Sequence, residues 1–263
     1  MKPGLVCAVI LVAGAPVFTQ FMTKLQPQTI KEFDQYARKV EEQLDQRWQH
    51  QRAFLAVQES DADLQKVLGG DLLVHPASDN PIAIFHGLIH DWTGTVFIPN
   101  TTMSKVLNIL QGFDRHSHIY PNVTRSRLIR REDNDLTGYW RLEYKQGLVT
   151  AALDVEQEAH YREIAPGKWV VKAYAKQISE VENAGTPREK ILPVGEGEGF
   201  LWRLYAYWSL EATHDGVLAE CRTLSLSRDI PKSIAWAVAP FVQNLPRESL
   251  AGTLRDTRAA AKK

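Results

Sequence analysis

The feature that most constrains this chain is a change of hydrophobic period at Gly69-Gly70. Before it, Ile30, Phe33, Ala37, Val40, Leu44 and Trp48 recur at three- and four-residue steps. Lys31, Glu32, Arg38, Lys39, Glu41, Glu42 and Asp45 lie between them. This spacing predicts an amphipathic helix over residues 29–57, whose apolar stripe buries against its own domain or against another chain. Thr29 reads as its N-cap, with Glu32 completing a capping box. Residues 60–68 read as a second, short helix. After Gly70 the period becomes two. Residues 71–75, 82–90 and 93–98 read as strands, with a turn at 76–81 and a turn or bulge at Asp91-Trp92. Residues 103–113 read as a helix, and 116–121 as an irregular link. A long antiparallel run follows over 123–131, 139–145, 148–161, 168–181, 200–214 and 217–228, with Asp215-Gly216 its strongest hairpin signal. Residues 234–261 read as a Pro-kinked helix carrying Leu250 and Leu254 on one side. The order is that of an α+β layer design: a curved antiparallel sheet wrapped around a long C-terminal helix, with a cavity between them and an extra N-terminal helix.

Composition narrows the function classes. The 263 residues are 44% hydrophobic and 24% charged, as in a globular body. Thirty-one basic residues balance thirty-one acidic ones, so the basic excess of a nucleic-acid binder is missing. Cys7 and Cys221 are too few for a disulfide framework or a thiolate zinc site, and Cys221 reads as a small core residue. Residues 5–15 form an apolar run behind Lys2 and close on Ala13-Gly14-Ala15. That length suits a secretory signal and is too short for a membrane span. Residues 1–22 are therefore expected to be a signal peptide or an N-terminal anchor, in an exported protein of the bacterial periplasm. Pro16 disfavours cleavage directly after Ala15, which keeps the anchor reading open.

The chemical candidates are few. His86 and His90 stand four apart, which on a strand is about 13 Å at about 3.3 Å per residue, too far to share an ion. Ser225 and Ser227 lack a nucleophile elbow. His90 and Asp91 are adjacent on a strand and point to opposite faces, so they form no dyad. The glycines of 193–199 lack the Gly-Lys-Ser/Thr of a phosphate loop and read as a flexible loop or lid. No catalytic residue, metal site or cofactor is expected. The alternation is more informative. Arg203, Tyr205 and Tyr207 share one strand face, and Trp202, Leu204, Ala206 and Trp208 the other. On the next strand Glu220, Arg222, Leu224 and Leu226 share a face opposite to Cys221, Thr223, Ser225 and Ser227. An Arg203–Glu220 cross-strand pair is expected. If that face lines the cavity, it supplies a polar anchor in an apolar pocket; if it faces outward, Arg and Glu are simply solvated.

Several segments resemble a known superfamily. Phe97-Ile98-Pro99 before a helix, Phe113-Asp114-Arg115, Tyr120-Pro121-Asn122-Val123, Ser227-Arg228-Asp229-Ile230-Pro231 and Leu245-Pro246-Arg247-Glu248-Ser249-Leu250 are similar to START/polyketide-cyclase-like (SRPBCC) proteins. That is the helix-grip superfamily, which includes birch-pollen-allergen-like and coenzyme Q-binding proteins. The resemblance covers about residues 85–260. More narrowly, His90-Asp91-Trp92 and Trp202-Arg203-Leu204-Tyr205 resemble a group of exported bacterial members. It implies a helix-grip domain over 71–263, preceded by a helical extension over 28–70, and an enclosed apolar pocket rather than a reaction. The expected ligand-binding residues are His90, Trp92, Tyr120, Arg203, Tyr205, Tyr207 and Glu220.

Three functional readings follow. The favoured one is non-catalytic binding, with or without transport, of a hydrophobic small molecule such as a lipid, isoprenoid or quinone in an internal cavity. A cyclase-, dehydratase- or hydrolase-type enzyme using pocket Tyr, His and Arg is the second. A protein-interaction module docking through the N-terminal helix is the third. No nucleic-acid partner is expected; peripheral membrane contact and oligomeric state stay open.

Overall fold

The computed structural model describes residues 22–49, 53–77, 79–146, 149–230 and 235–262; the side chains of residues 146, 149 and 235–243 are outside that description. The expected leader over residues 1–22 lies outside it except for Met22.

In chain order the elements are β1 (Thr23–Lys24), α1 (Pro27–Gln49), α2 (Asp61–Leu68), β2 (Leu72–Pro76), β3 (Ile82–Ile84), β4 (Gly87–Pro99), α3 (Met103–Leu110) and α4 (His116–Ile119). The meander follows as β5 (Val123–Glu132), β6 (Asp135–Gln146), β7 (Val149–Ala165), β8 (Lys168–Glu182), β9 (Lys190–Ile191), β10 (Glu196–Gly197), β11 (Arg203–Thr213) and β12 (Gly216–Arg228). α5 (Ala235–Ala261) ends the chain. The main sheet runs β2-β4-β12-β11-β8-β7-β6-β5, with β3 on β4 and β9 on β8, and every pairing is antiparallel. Register shifts at Val123/Arg125, Leu128/Arg130, Glu156/Gln157 and Glu163/Ala165 mark bulges, which bend strands. The sheet with its long C-terminal helix is the helix-grip architecture, an α+β fold. Among the described residues no helix is long and apolar enough to cross a membrane.

Both faces of the sheet are covered. On one, Leu250 and Leu254 of α5 join Val106, Leu110, Val96 and Leu210 in a core. Close approach is enforced by glycine: a Cβ on Gly94 would collide with Leu254, and one on Gly138 would overlap the Phe113 ring. On the other face, α1 buries Phe33, Ala37, Val40, Leu44 and Trp48 against Tyr205, Tyr207, Leu224 and Leu226. The apolar stripe read from the sequence therefore packs on its own domain.

Local details depart from expectation for identifiable reasons. α1 ends at Gln49. Thr29 and Glu32 do not close a capping box: Thr29 Oγ1 donates to the Phe85 carbonyl at 2.7 Å, and Glu32 Oε2 accepts from the Phe85 amide at 2.9 Å. The pair fastens α1 to the β3–β4 hairpin. That hairpin turns at Phe85-His86, where His86 has φ 47°, so Asp91-Trp92 is no turn. Asp91 stays inside β4 because its carboxylate is satisfied there. Arg222 grips it with Nε at 2.9 Å and Nη2 at 2.7 Å, and the Tyr36 hydroxyl donates to it at 2.7 Å. In the β11–β12 hairpin, Thr213 already pairs with Gly216, so the loop is His214-Asp215. That register sets Ser209 opposite Glu220 and Leu226 opposite Arg203; the expected Arg203–Glu220 pair does not form.

Candidate functional site

A cavity of about 610 Å³ lies between the inner face of the sheet and α5. Its existence follows from side-chain size. Ala151 and Ala159 on β7, Ala173 on β8 and Ala206 on β11 all point inward, where larger residues would close the space against Leu250 and Thr253. Trp208, Leu142, Leu153 and Leu204 supply apolar wall. The rim is formed by residues 198–201, 228–230 and 245–249.

Most polar groups around the cavity are already bonded to protein. Trp140 Nε1 donates to His116 Nδ1 at 2.9 Å, so His116 carries its proton on Nε2 and faces the Ile109 carbonyl at 3.0 Å. Burial lowers the pKa of this ring to about 4, which keeps it neutral. Thr257 donates to the Thr253 carbonyl at 2.7 Å, so its oxygen accepts from the Tyr120 hydroxyl at 3.0 Å. Burial pushes Tyr120 up to about 12. The Tyr161 hydroxyl donates to the Leu110 carbonyl at 3.1 Å. Ser227 donates to the Arg228 carbonyl at 3.3 Å, and His90 Nε2 meets the Ser227 oxygen at 3.3 Å. His90 is 2% exposed, its Nδ1 has no partner, and burial lowers its pKa to about 4. Cys221 also lines the cavity, and burial raises its thiol well above the ordinary range.

Gln157 differs from these. It lines the cavity, it is 5% exposed, and its amide makes no hydrogen bond among the described residues. The charged residues of the lining are Glu198, Asp229, Glu248, Asp256 and Arg228. Arg228 donates to the carbonyls of Asp229 at 3.2 Å and Glu198 at 3.3 Å, and burial raises the Asp256 carboxyl. The rim segment is held from below by Glu180. This buried carboxylate accepts from the amides of Glu198 at 2.6 Å and Phe200 at 2.9 Å, and its burial raises its pKa. A Cβ at Gly197 would collide with it.

The structure divides the seven residues expected from the sequence. His90 and Tyr120 line the cavity. Trp92 packs on the inner core beside it, outside the lining. Arg203, Tyr205, Tyr207 and Glu220 lie on the opposite face, beneath α1 and residues 54–57, and do not reach the cavity. Tyr207 donates to Glu41 at 2.9 Å, as Tyr174 does at 3.1 Å. Tyr205 packs edge-on to Phe33 at 5.1 Å. Glu220 accepts from Thr95 at 3.2 Å and from the Val57 amide at 3.4 Å. Arg203 donates to the carbonyls of Trp202 and Lys176. Tyr205, Tyr207 and Glu220 thus fasten the N-terminal helical extension, which is why they are polar yet covered, while Arg203 bonds carbonyls of the sheet side. Gln157 went unread, and His116, which by its spacing from His118 near a turn reads as a surface or loop histidine, is instead buried against the cavity. The signal for Gln157 was present as a lone amide in the phase Ala151, Leu153, Val155, Gln157, Ala159, Tyr161. Among the described residues no group of three or more His, Cys, Asp or Glu is placed to hold a metal ion.

No protein-family model and no curated protein matches the sequence. Similar solved structures include a STAR-related lipid transfer protein from Xanthomonas axonopodis, at 17% identity, 72% of this chain, 99% of that one and a TM-score of 0.48. A START superfamily protein from Mycobacterium smegmatis matches at 12% identity over 66% of this chain and 97% of its own, with a TM-score of 0.42. The Zhui aromatase/cyclase from a Streptomyces species matches at 9% identity over 67% and 94%, with a TM-score of 0.40.

Proposed function

We propose that the protein binds an uncharged hydrophobic small molecule in the cavity between the sheet and α5, without transforming it. The observation that carries this reading is the cavity itself, about 610 Å³ with walls of Ala, Leu, Val and Trp. Enclosing roughly 300 Å² of apolar ligand surface supplies about 7 kcal/mol before the cost of association. Binding therefore needs few polar contacts.

Acyl-transfer or cyclase chemistry needs donors aimed at a developing oxyanion. Here Tyr120, Tyr161 and Trp140 direct their protons to protein acceptors. His90 and His116 are held neutral by burial. The cavity is built to enclose rather than to protonate. Docking of a partner through α1 loses its apolar surface, since Phe33 and Val40 are already covered by the sheet.

Native mass spectrometry of the purified protein, followed by solvent extraction, tests the proposal. A stoichiometric apolar adduct is expected. A protein that comes out empty and also fails to take up the uncharged dye Nile red would refute it. The apolar run over residues 5–15 adds the proposal that the chain is exported, which fractionation and N-terminal sequencing from a bacterial host would check.

A further inference from the structure

We propose that Gln157 is the buried anchor of this cavity, and that its ligand is an uncharged, elongated molecule carrying a hydrogen-bonding group at the β7 end and lying across the strands toward Ser225 and His90. The inference rests on the cavity-binding reading above and adds the chemistry and orientation of the ligand.

The sheet register carries the orientation. Gln157 stands opposite Ala175 on β8, Ala175 opposite Leu204 on β11, Leu204 opposite Ser225 on β12, and Ser225 opposite His90 on β4. Directly opposed residues share a face, so this is one row across the inner side of five strands. Its two ends are polar and its middle is apolar. Four strand spacings of about 4.8 Å make the row about 19 Å along the curved surface. Gln157, Leu204, Ser225 and His90 of this row line the cavity, so a molecule lying along it meets an amide at one end, Leu204 in the middle, and a serine and histidine at the other.

Gln157 stands opposite a bulge in β8: Glu156 pairs with Gln177 and Gln157 with Ala175, which leaves Lys176 as the extra residue of β8. The bulge bends β8 and keeps Ala175 on the inner face opposite Gln157, while β7 itself runs in unbroken alternation. Gln157 is 95% covered yet bonded to no described neighbour, and at the far end of the row His90 Nδ1 likewise has no partner. An amide left unbonded in apolar surroundings is destabilising, and a polar ligand group or a trapped water relieves it.

Charge decides against an anion. Glu198, Asp229, Glu248 and Asp256 surround the cavity, and Arg228, the cation of the described lining, is directed to backbone carbonyls. A carboxylate or phosphate entering here meets acids and no free guanidinium. An alcohol, ketone or amide meets Gln157, which donates and accepts.

Displacement of Nile red at pH 7.5 by farnesol, farnesoic acid and the hydrocarbon farnesene tests the assignment. In the wild type, farnesoic acid is expected to compete at least tenfold more weakly than farnesol. In Gln157→Leu and in Gln157→Met, the ratio of farnesol to farnesene competition is expected to fall about tenfold, the loss of one good hydrogen bond. Two apolar replacements of similar size guard against one folding poorly, and far-UV circular dichroism checks both. An unchanged ratio in both variants, as expected if Gln157 bonds only water, would overturn the anchor. Equal competition by the acid would overturn the uncharged class. A wild type that binds neither Nile red nor any competitor would instead overturn the cavity-binding reading itself.

Discussion

Acidification is the perturbation whose size can be worked directly from the structure. His90 and His116 are each 2% exposed, and burial lowers both pKa values to about 4 from an ordinary 6.5. A histidine that is harder to protonate when folded contributes stability that is present above its unfolded pKa. That stability is lost as pH falls through the window between about 6.5 and about 4. At about 1.4 kcal/mol per pKa unit the full loss is roughly 3 kcal/mol per ring, and between pH 7 and pH 5 about 2 kcal/mol per ring. Glu180 and Glu220 act in the opposite sense. Their pKa values are raised by burial, so their unfavourable contribution appears as pH rises and is relieved on acidification. The histidine contribution is therefore read by difference. Urea denaturation at pH 7 and pH 5 is compared between the wild type and a His90→Leu/His116→Gln variant. The wild type is expected to lose about 4 kcal/mol more than the variant across that step. Equal losses would refute the reasoning, because both rings would then titrate as in the unfolded chain.

Three further outcomes are expected. Asp91→Ala leaves the half-buried Arg222 without its bidentate partner and should cost about 3 kcal/mol in chemical denaturation, whereas Asp91→Leu combined with Arg222→Met should recover much of that loss. Ala206→Phe points a ring into the cavity and should abolish Nile red uptake with the fold retained by circular dichroism, while Tyr207→Phe, on the far face, should leave uptake intact. Glu180→Gln weakens the charged grip on the amides of Glu198 and Phe200 by about 1–2 kcal/mol and should speed ligand exchange about tenfold by stopped-flow fluorescence; an unchanged rate would show that the 198–201 segment is not the gate.

Much of the architecture is visible before any coordinates. The amphipathic stripe from Phe33 to Trp48, the short α2, the hairpin signal at Asp215-Gly216 and the terminal helix all carry local signals, because turn chemistry and hydrophobic period act over a few residues. Where those signals misled, a tertiary partner had taken over the group. Thr29 and Glu32 have the spacing of a capping box, yet the Phe85 backbone claims both. Asp91 has the composition of a turn, yet Arg222 and Tyr36 keep it in a strand.

The site shows the same division more sharply. Sequence alternation correctly separates Arg203, Tyr205 and Tyr207 from Leu204, Ala206 and Trp208, since successive side chains on a strand alternate. It cannot say which set meets the cavity, because α1 covers the outer face and leaves neither set exposed, erasing the usual contrast of polar outside and apolar inside. By itself, then, the sequence determines the elements, their order and the two faces of each strand. Only the tertiary structure decides that the tyrosines hold α1 and that four alanines open a cavity. It alone brings Gln157 into one row with Ser225 and His90. Those facts depend on register and on packing between segments far apart in the chain, which no local pattern encodes.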